Sequence, residues 1–325
     1  MLKKARKERH IWLDIMITLL TLELMSYFYY GIRSVVLACI CTVTAIIAEI
    51  VSVRFMKRKF TADDLTCTSD ALIIALMFPA VMNYKIAAIA VLFAIIVAKN
   101  VFGGRVNMIF SPAAAAYVFV LTSWDRELLQ YTEPHVKTGI FETPAVLVNS
   151  ASHTFDLTGT MDHTDFEILL GNFSGPSGAV SILLLSVAAV VLMFRGSISA
   201  GAFIGTVSGT GFFAVVTPVV ASRSDSFKYS LVTNMVLFAA IYIVSDVRIA
   251  PKRNYYAFFY GLFIGVISYV LVLTGAKENA IVIVSVLFTP IALGFKNLEK
   301  KIELAVKENS DTNAASAREE AAIHD

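Results

Sequence analysis

Two glutamates interrupt long apolar runs, and they are the first residues here whose type and place could do chemistry. Glu23 falls in the middle of the run 11–31, and Glu49 falls towards the end of the run 34–53. A carboxylate near a bilayer centre costs about 2.5–3.5 kcal/mol on insertion scales, so both are candidates for ion or proton coupling. Pairing with another subunit is the competing use. Asp14, Asp70 and Asp246 fall near predicted helix ends, where capping or water contact accounts for an aspartate. None of the five histidines falls inside a predicted span, which argues against a bis-histidine haem within the membrane. Cys39 and Cys41 point to different faces of one helix and read as small apolar residues, while Cys67 reads as a loop thiol. No C-x-x-C pair occurs, and no metal site is expected. Gly103-Gly104 before Arg105 would let a backbone approach a ligand closely, or would simply form a tight turn. The stretch Gly171-Asn172-Phe173-Ser174-Gly175-Pro176-Ser177-Gly178 opens a predicted span. Free N–H groups there would favour an anion, and a hinge with an N-cap is the alternative.

The elements that position these residues follow from composition. The chain has 325 residues, 57% hydrophobic and 16% charged, against about 45–50% apolar and about 25% charged in ordinary globular chains. A net charge of +2 gives no reason to expect nucleic-acid binding. The composition predicts an all-α polytopic membrane protein with about ten transmembrane helices, at 11–31, 34–53, 70–82, 86–98, 112–124, 180–194, 199–220, 231–245, 255–274 and 280–293. The third, fourth and fifth are short as drawn and read as broken helices beside Pro79, Gly103, Gly104 and Pro112. With a cytoplasmic N-terminus, 20 of the 27 Lys and Arg fall on the inner side. That bias predicts cytoplasmic termini on both ends. Ten spans divide into two inverted five-helix repeats. The expected organisation is a cytoplasmic N-terminus (1–10), a first membrane half (11–124), an external acidic loop (125–176), a second membrane half (177–295) and a cytoplasmic tail (296–325). The external loop carries eight acids against Arg126 and Lys137, with His135, His153 and His163.

Short elements along 11–293 carry a resemblance. They are Ile11-Trp12-Leu13-Asp14-Ile15, Tyr30-Gly31, Glu49, Thr68-Ser69-Asp70-Ala71-Leu72 with Met77-Phe78-Pro79, and Lys99-Asn100-Val101-Phe102-Gly103-Gly104. Further on come Phe110-Ser111-Pro112-Ala113, Leu170-Gly171-Asn172, Ser245-Asp246 with Pro251, and Phe288-Thr289-Pro290. In order and spacing the chain resembles the family of the D subunit of the Rnf ion-translocating ferredoxin:NAD oxidoreductase. That family includes the B subunit of the sodium-pumping NADH:quinone oxidoreductase. The resemblance implies a bacterial inner-membrane flavoprotein subunit that relays electrons among other membrane and peripheral subunits while sodium ions or protons cross. It implies FMN esterified to a threonine of an S/T-G-A-T motif, and a second, non-covalent flavin such as riboflavin. No S-G-A-T occurs; Ser150-Ala151-Ser152-His153-Thr154 stands nearest, so Thr154 is the conditional attachment residue and Ser152 the second choice. Other departures are Ser111 in F-N-P, Ala179-Val180 in place of Glu-Thr, and Val247 after Asp246. By the resemblance, Gly103, Gly104, Asp246 and Pro251 would shape cofactor pockets, and Glu23 and Glu49 would be the coupling charges. The chain has no nicotinamide or iron–sulfur motif, so any oxidoreductase activity would belong to the complex. A secondary transporter on a similar scaffold, or a cofactor-less structural subunit, are the alternatives.

Overall fold

Apolar runs in lipid must satisfy their own backbone groups, and helix is the local solution. A computed structural model describes residues 2–102, 108–136, 138–142, 146–159, 163–218, 222–275, 278–288, 290–302 and 304. It places helix in each of the ten predicted apolar stretches. The first half contains α1 (Leu2–Tyr30), α2 (Ile32–Phe55), α3 (Cys67–Met77), α4 (Tyr84–Val101) and α5 (Pro112–Ser123). A single helical turn at Asp125–Leu128 and two short helices follow, α6 (Ala151–Thr158) and α7 (Asp165–Leu170). The second half contains α8 (Ile182–Phe194), α9 (Ala200–Val216), α10 (Arg223–Val232), α11 (Val236–Val244), α12 (Asn254–Leu273), α13 (Ala280–Leu287) and α14 (Pro290–Ile302). Among the described residues there is no strand, only isolated bridges such as Tyr131 with Val148.

The protein is therefore all-α and polytopic. Among the described residues, four helical segments (His10–Tyr30, α2, α4 and α12) are long and apolar enough to cross a bilayer. Two bent pairs bring the number to six: α10 with α11, at 56°, and α13 with α14, at 46°. The helices α3, α5, α8 and α9 are shorter, so ten full crossings are more than length and composition establish.

The short helices have identifiable causes. α3 stops before Pro79, whose ring disfavours helix in the residue ahead of it. Its last carbonyls would then be orphaned. They are satisfied from the other half of the chain: Ser177 N–H donates to Phe78 O (3.1 Å) and Gly178 N–H to Leu76 O (2.8 Å). The glycine-rich stretch 171–178 thus spends N–H groups on a helix C-terminus, which corrects the expectation that they are free for an anion. Cys67 is also not a loop thiol; it begins α3 and is fully buried. α4 widens into a π-helix from Phe93 to Val101.

The closest packing joins α9 to α12. Gly201, Gly205 and Gly209 recur every four residues on α9, and Gly261 and Gly265 do so on α12. A Cβ at Gly209 would lie 2.7 Å from Leu262 O, and one at Gly205 would overlap Phe258 O. Only glycine lets the backbones meet so closely.

Candidate functional site

The acids cluster at the two ends of the helix bundle, and the ends differ. At the end where α2 meets α3, every acid with a described ion pair faces an Arg or Lys. Glu49 is fully buried on α2. Its Oε1 accepts from Arg58 (3.1 Å), and its Oε2 accepts from Lys99 Nζ (3.2 Å) and Asn100 Nδ2 (3.1 Å). The π-helical turn brings the consecutive residues Lys99 and Asn100 to one carboxylate, and Asn100 also donates to Ile95 O, five residues back (2.8 Å). Arg58 continues to Asp64 (2.7 Å). Asp70, in the first turn of α3, and Asp246, just after α11, share Arg248: it reaches Asp70 Oδ1 at 2.9 Å and Asp246 Oδ2 at 2.7 Å. Asp14 pairs with Arg195 (2.8 Å) and accepts from Ser197 (2.6 Å). None of these three aspartates is therefore a simple helix cap.

Glu23 stands apart. It is buried in mid-α1 beside Ser34, and its Oε1 has no partner. Pro251 is buried in the turn that follows Arg248. Gly103 and Gly104 lie outside the described residues.

At the opposite end, two acids that the sequence left unremarked form a second centre. Glu278 and Asn279 precede α13, and Asn279 holds a left-handed φ of 60°. Asn234 and Met235, at the break between α10 and α11, hold φ of 55° and 54°. Asn279 N–H donates to Asn234 Oδ1 (3.0 Å), and its amide donates to the Tyr117 hydroxyl (2.8 Å). Asn234 Nδ2 donates to both oxygens of Asp156 on α6 (3.3 and 3.1 Å), and Asn234 N–H donates to Ser152 Oγ (2.9 Å). Glu278 accepts from Ser150 Oγ (2.6 Å), and its other oxygen lies 3.3 Å from His153 Nδ1. Among the described residues neither Glu278 nor Asp156 has a Lys or Arg partner. Two asparagines at helix breaks (Asn234, and Asn279 after Glu278) were the available sequence signal, because Asn tolerates the left-handed region.

Burial pushes the Glu278 carboxyl up from its ordinary 4.5 to about 7; the Ser150 hydroxyl opposes the rise and the Asp156 charge adds to it. A carboxyl with a raised folded pKa favours the folded state most at low pH. Stability is expected to fall as pH rises from about 4.5 to about 7, by roughly 3 kcal/mol, and to level off above. His153 and Asp156 also face this group, and Tyr117 and Tyr131 pack nearby. The check is thermal unfolding at pH 5 and pH 8 in a His153→Gln background. Glu278→Gln should flatten the slope, and an unchanged slope would refute the assignment.

Thr154 lies on α6, where its hydroxyl donates to Ser150 O (3.3 Å). Ser152, the second choice, is held by Asn234 N–H. A phosphate ester at either residue would sit on the helix that carries Asp156 and faces Glu278. No Lys or Arg bonds to Ser150, Ser152, His153, Thr154 or Asp156 among the described residues. Thr154 is half-buried, and Lys137 and Lys277 lie outside the described residues.

Comparison with known proteins places these features in a family. The family described as NQR2, RnfD, RnfE matches residues 1–294. The chain is 24% identical over 267 residues to the D subunit of the Na(+)-translocating ferredoxin:NAD(+) oxidoreductase complex of Acetobacterium woodii, covering 81% of this chain and 80% of that one. It is 22% identical over 306 residues to the D subunit of the ion-translocating oxidoreductase complex of Erwinia tasmaniensis, covering 82% of this chain and 85% of that one. The protein of the same description from Shewanella frigidimarina matches over a shorter stretch, 29% identical over 113 residues, 34% of this chain and 32% of that one.

Proposed function

The chain belongs to the NQR2, RnfD, RnfE family, and on that premise we propose that it is a membrane subunit of an Rnf-like electron-transport complex. The observation that carries this reading is the family match along 294 of the 325 residues, which takes in every described apolar helix as far as the start of α14. The subunit would work with other membrane and peripheral subunits and couple electron transfer to movement of sodium ions or protons. We place it in the bacterial inner membrane with both termini cytoplasmic, following the basic-residue bias. Ten crossings in two inverted five-helix repeats belong to the same proposal, as do the boundaries at 124, 176 and 295.

The chain's own residues would divide the work by position. Glu49, neutralised by Lys99, Asn100 and Arg58, would lock α2 to α4. Asp70 and Asp246, tied through Arg248, would hold the first half against the second. Glu23, with an unpartnered oxygen in the middle of α1, is the intramembrane charge we propose for coupling. Flavin in the complex would supply one-electron and two-electron redox chemistry. The lack of an S-G-A-T motif around Thr154 favours a subunit without covalent FMN, which brings the cofactor-less structural role forward as the second reading.

The test is purification of the complex through a tag on this chain. Partner subunits should co-purify, and deletion of the chain should abolish sodium- or proton-coupled ferredoxin:NAD oxidoreduction in membranes. A chain that purifies without partners, and whose deletion leaves that activity intact, would overturn the reading. On a denaturing gel the band should show no flavin fluorescence; fluorescence lost in Thr154→Ala would restore the covalent site.

A further inference from the structure

The chain leaves α2 through Arg54-Phe55-Met56-Lys57-Arg58-Lys59-Phe60, and all seven residues are exposed, Phe55 at 84%. Four are basic and three are large and apolar, a mixture that suits a membrane surface, where rings enter the acyl boundary and charges meet headgroups. The loop is built rather than loose. Lys57 N–H donates to Arg54 O (3.1 Å) and Arg58 N–H to Val53 O (3.2 Å), the paired bonds that close a helix C-terminus. Arg58 bonds to Asp64 (2.7 Å) and to the buried Glu49 (3.1 Å). Asp64 in turn accepts from the N–H (2.8 Å) and the hydroxyl (2.9 Å) of Thr61, ahead of the short 3-10 turn Ala62–Thr66. Arg58 is thus spent on the protein's own acids. Among the described residues Arg54, Lys57 and Lys59 have no acidic partner, so three positive charges are held in place and left over.

Two further observations select the ligand. Lys57 follows the helix cap Met56 with a left-handed φ of 53°. Glycine is the usual residue at that position, because a Cβ is strained there. A lysine placed where glycine fits better is a sign that its charge is used. The second observation is the approach to the loop. Val43, Ile47 and Ile50 are exposed on α2 at the spacing of one helix face, and Arg54 continues that face four residues on. α2 is long and apolar enough to cross a bilayer, so this stripe meets acyl chains and ends at the bases. A ligand with hydrocarbon along α2 and an anion at its head matches stripe and loop together. A soluble anion or an acidic protein surface matches the loop alone.

We infer that the 54–60 loop and the outer stripe of α2 form a binding site for an anionic phospholipid, with Arg54, Lys57 and Lys59 as the cations for its headgroup and Phe55 and Phe60 at the acyl boundary. The site needs α2 to lie in a membrane and does not need the electron-transport reading, so the two fail separately.

The experiment places a full-length chain carrying Phe55→Trp, Trp12→Phe and Trp124→Phe in phosphatidylcholine bilayers and quenches its fluorescence with lipid brominated on the acyl chains. Brominated phosphatidylglycerol should reach half-maximal quenching at a mole fraction about three-fold or more below that of brominated phosphatidylcholine, and high salt should narrow the gap. In the unaltered chain, native mass spectrometry should show phosphatidylglycerol retained where phosphatidylcholine is lost. Arg54→Gln/Lys59→Gln should abolish the preference in both measurements. Lys252→Gln/Arg253→Gln, which removes equal charge from exposed residues elsewhere, should keep it. Lys57→Gly should weaken the preference about two-fold or more without lowering Tm in phosphatidylcholine, since glycine relieves the left-handed turn. Equal loss in the two double variants would overturn the site in favour of overall surface charge, and an undiminished preference in Arg54→Gln/Lys59→Gln would overturn it outright. Equal binding of the two lipids, with partner subunits lost from the Arg54→Gln/Lys59→Gln complex, would give the loop to an acidic protein surface and overturn the proposal.

Discussion

Gly205→Ala is expected to leave little folded protein, although it adds one methyl group. The new Cβ would overlap the Phe258 carbonyl oxygen and approach Leu262 N at 2.9 Å. Neither neighbour is a side chain that can turn away; both belong to the backbone of α12. Over-packing of side chains costs about 1–3 kcal/mol, and a clash that must push a pair of helices apart belongs at or above the top of that range. The facing glycines leave no easier register, because a Cβ at Gly261 would overlap Ala202 O and one at Gly265 would overlap Thr206 O. Gly294 supplies the contrast. It is an exposed helical glycine, and a Cβ there would meet nothing within 4 Å. Gly294→Ala should be neutral or stabilising, since glycine inside a helix is about 1 kcal/mol worse than alanine. Yield of monodisperse protein and Tm in detergent check both substitutions. Equal behaviour of the two would show that the α9–α12 contact is not as close as described.

The helices were legible in the sequence because apolar runs in lipid have only one local solution, and the breaks followed proline and polar asparagine. The four-residue glycine spacing on α9 and α12 stands in the sequence as a mark of one helix face, but went unread until the packed helices showed what it is for. What could not be read locally is who meets whom. Arg248 finds Asp70, Ser150 finds Glu278 and Glu49 finds Lys99 only once the helices have packed, and no spacing rule links residues so far apart. The glycine-rich stretch before α8 shows the same limit. Its N–H groups look free in sequence, yet those of Ser177 and Gly178 go to carbonyls at the end of α3, and those of Gly171 and Asn172 go to Glu167 O on α7. Thr154 fits the flavin pattern by position, while Glu278, which bonds to Ser150 on the same segment, arrives from the start of α13.

Lys99→Met should be among the most damaging single changes at the opposite end of the bundle. Glu49 and Lys99 are both buried, with side chains 0% and 1% exposed. Removing the ammonium leaves a carboxylate held by Asn100 and by Arg58, which is 40% exposed and shared with Asp64. Breaking a buried pair by removing one partner costs about 3–5 kcal/mol, because the remaining charge keeps its desolvation penalty. Glu49→Gln in the same chain removes that charge while keeping an amide that can accept from Asn100. The double variant should recover most of the lost stability, and the single–double difference measures the coupling. The pair also separates two uses of Glu49. A carboxylate that carries the translocated ion is indispensable, so a folded Glu49→Gln/Lys99→Met chain would assemble into the complex without ion coupling. A carboxylate that serves to lock α2 to α4 is replaceable, so the same chain would fold, assemble and couple. Three bonds already occupy Glu49, and Glu23 has an oxygen with none, so coupling should survive the double substitution and fail in Glu23→Gln. Loss of sodium-dependent transport in a stable, assembled double variant would return the coupling role to Glu49.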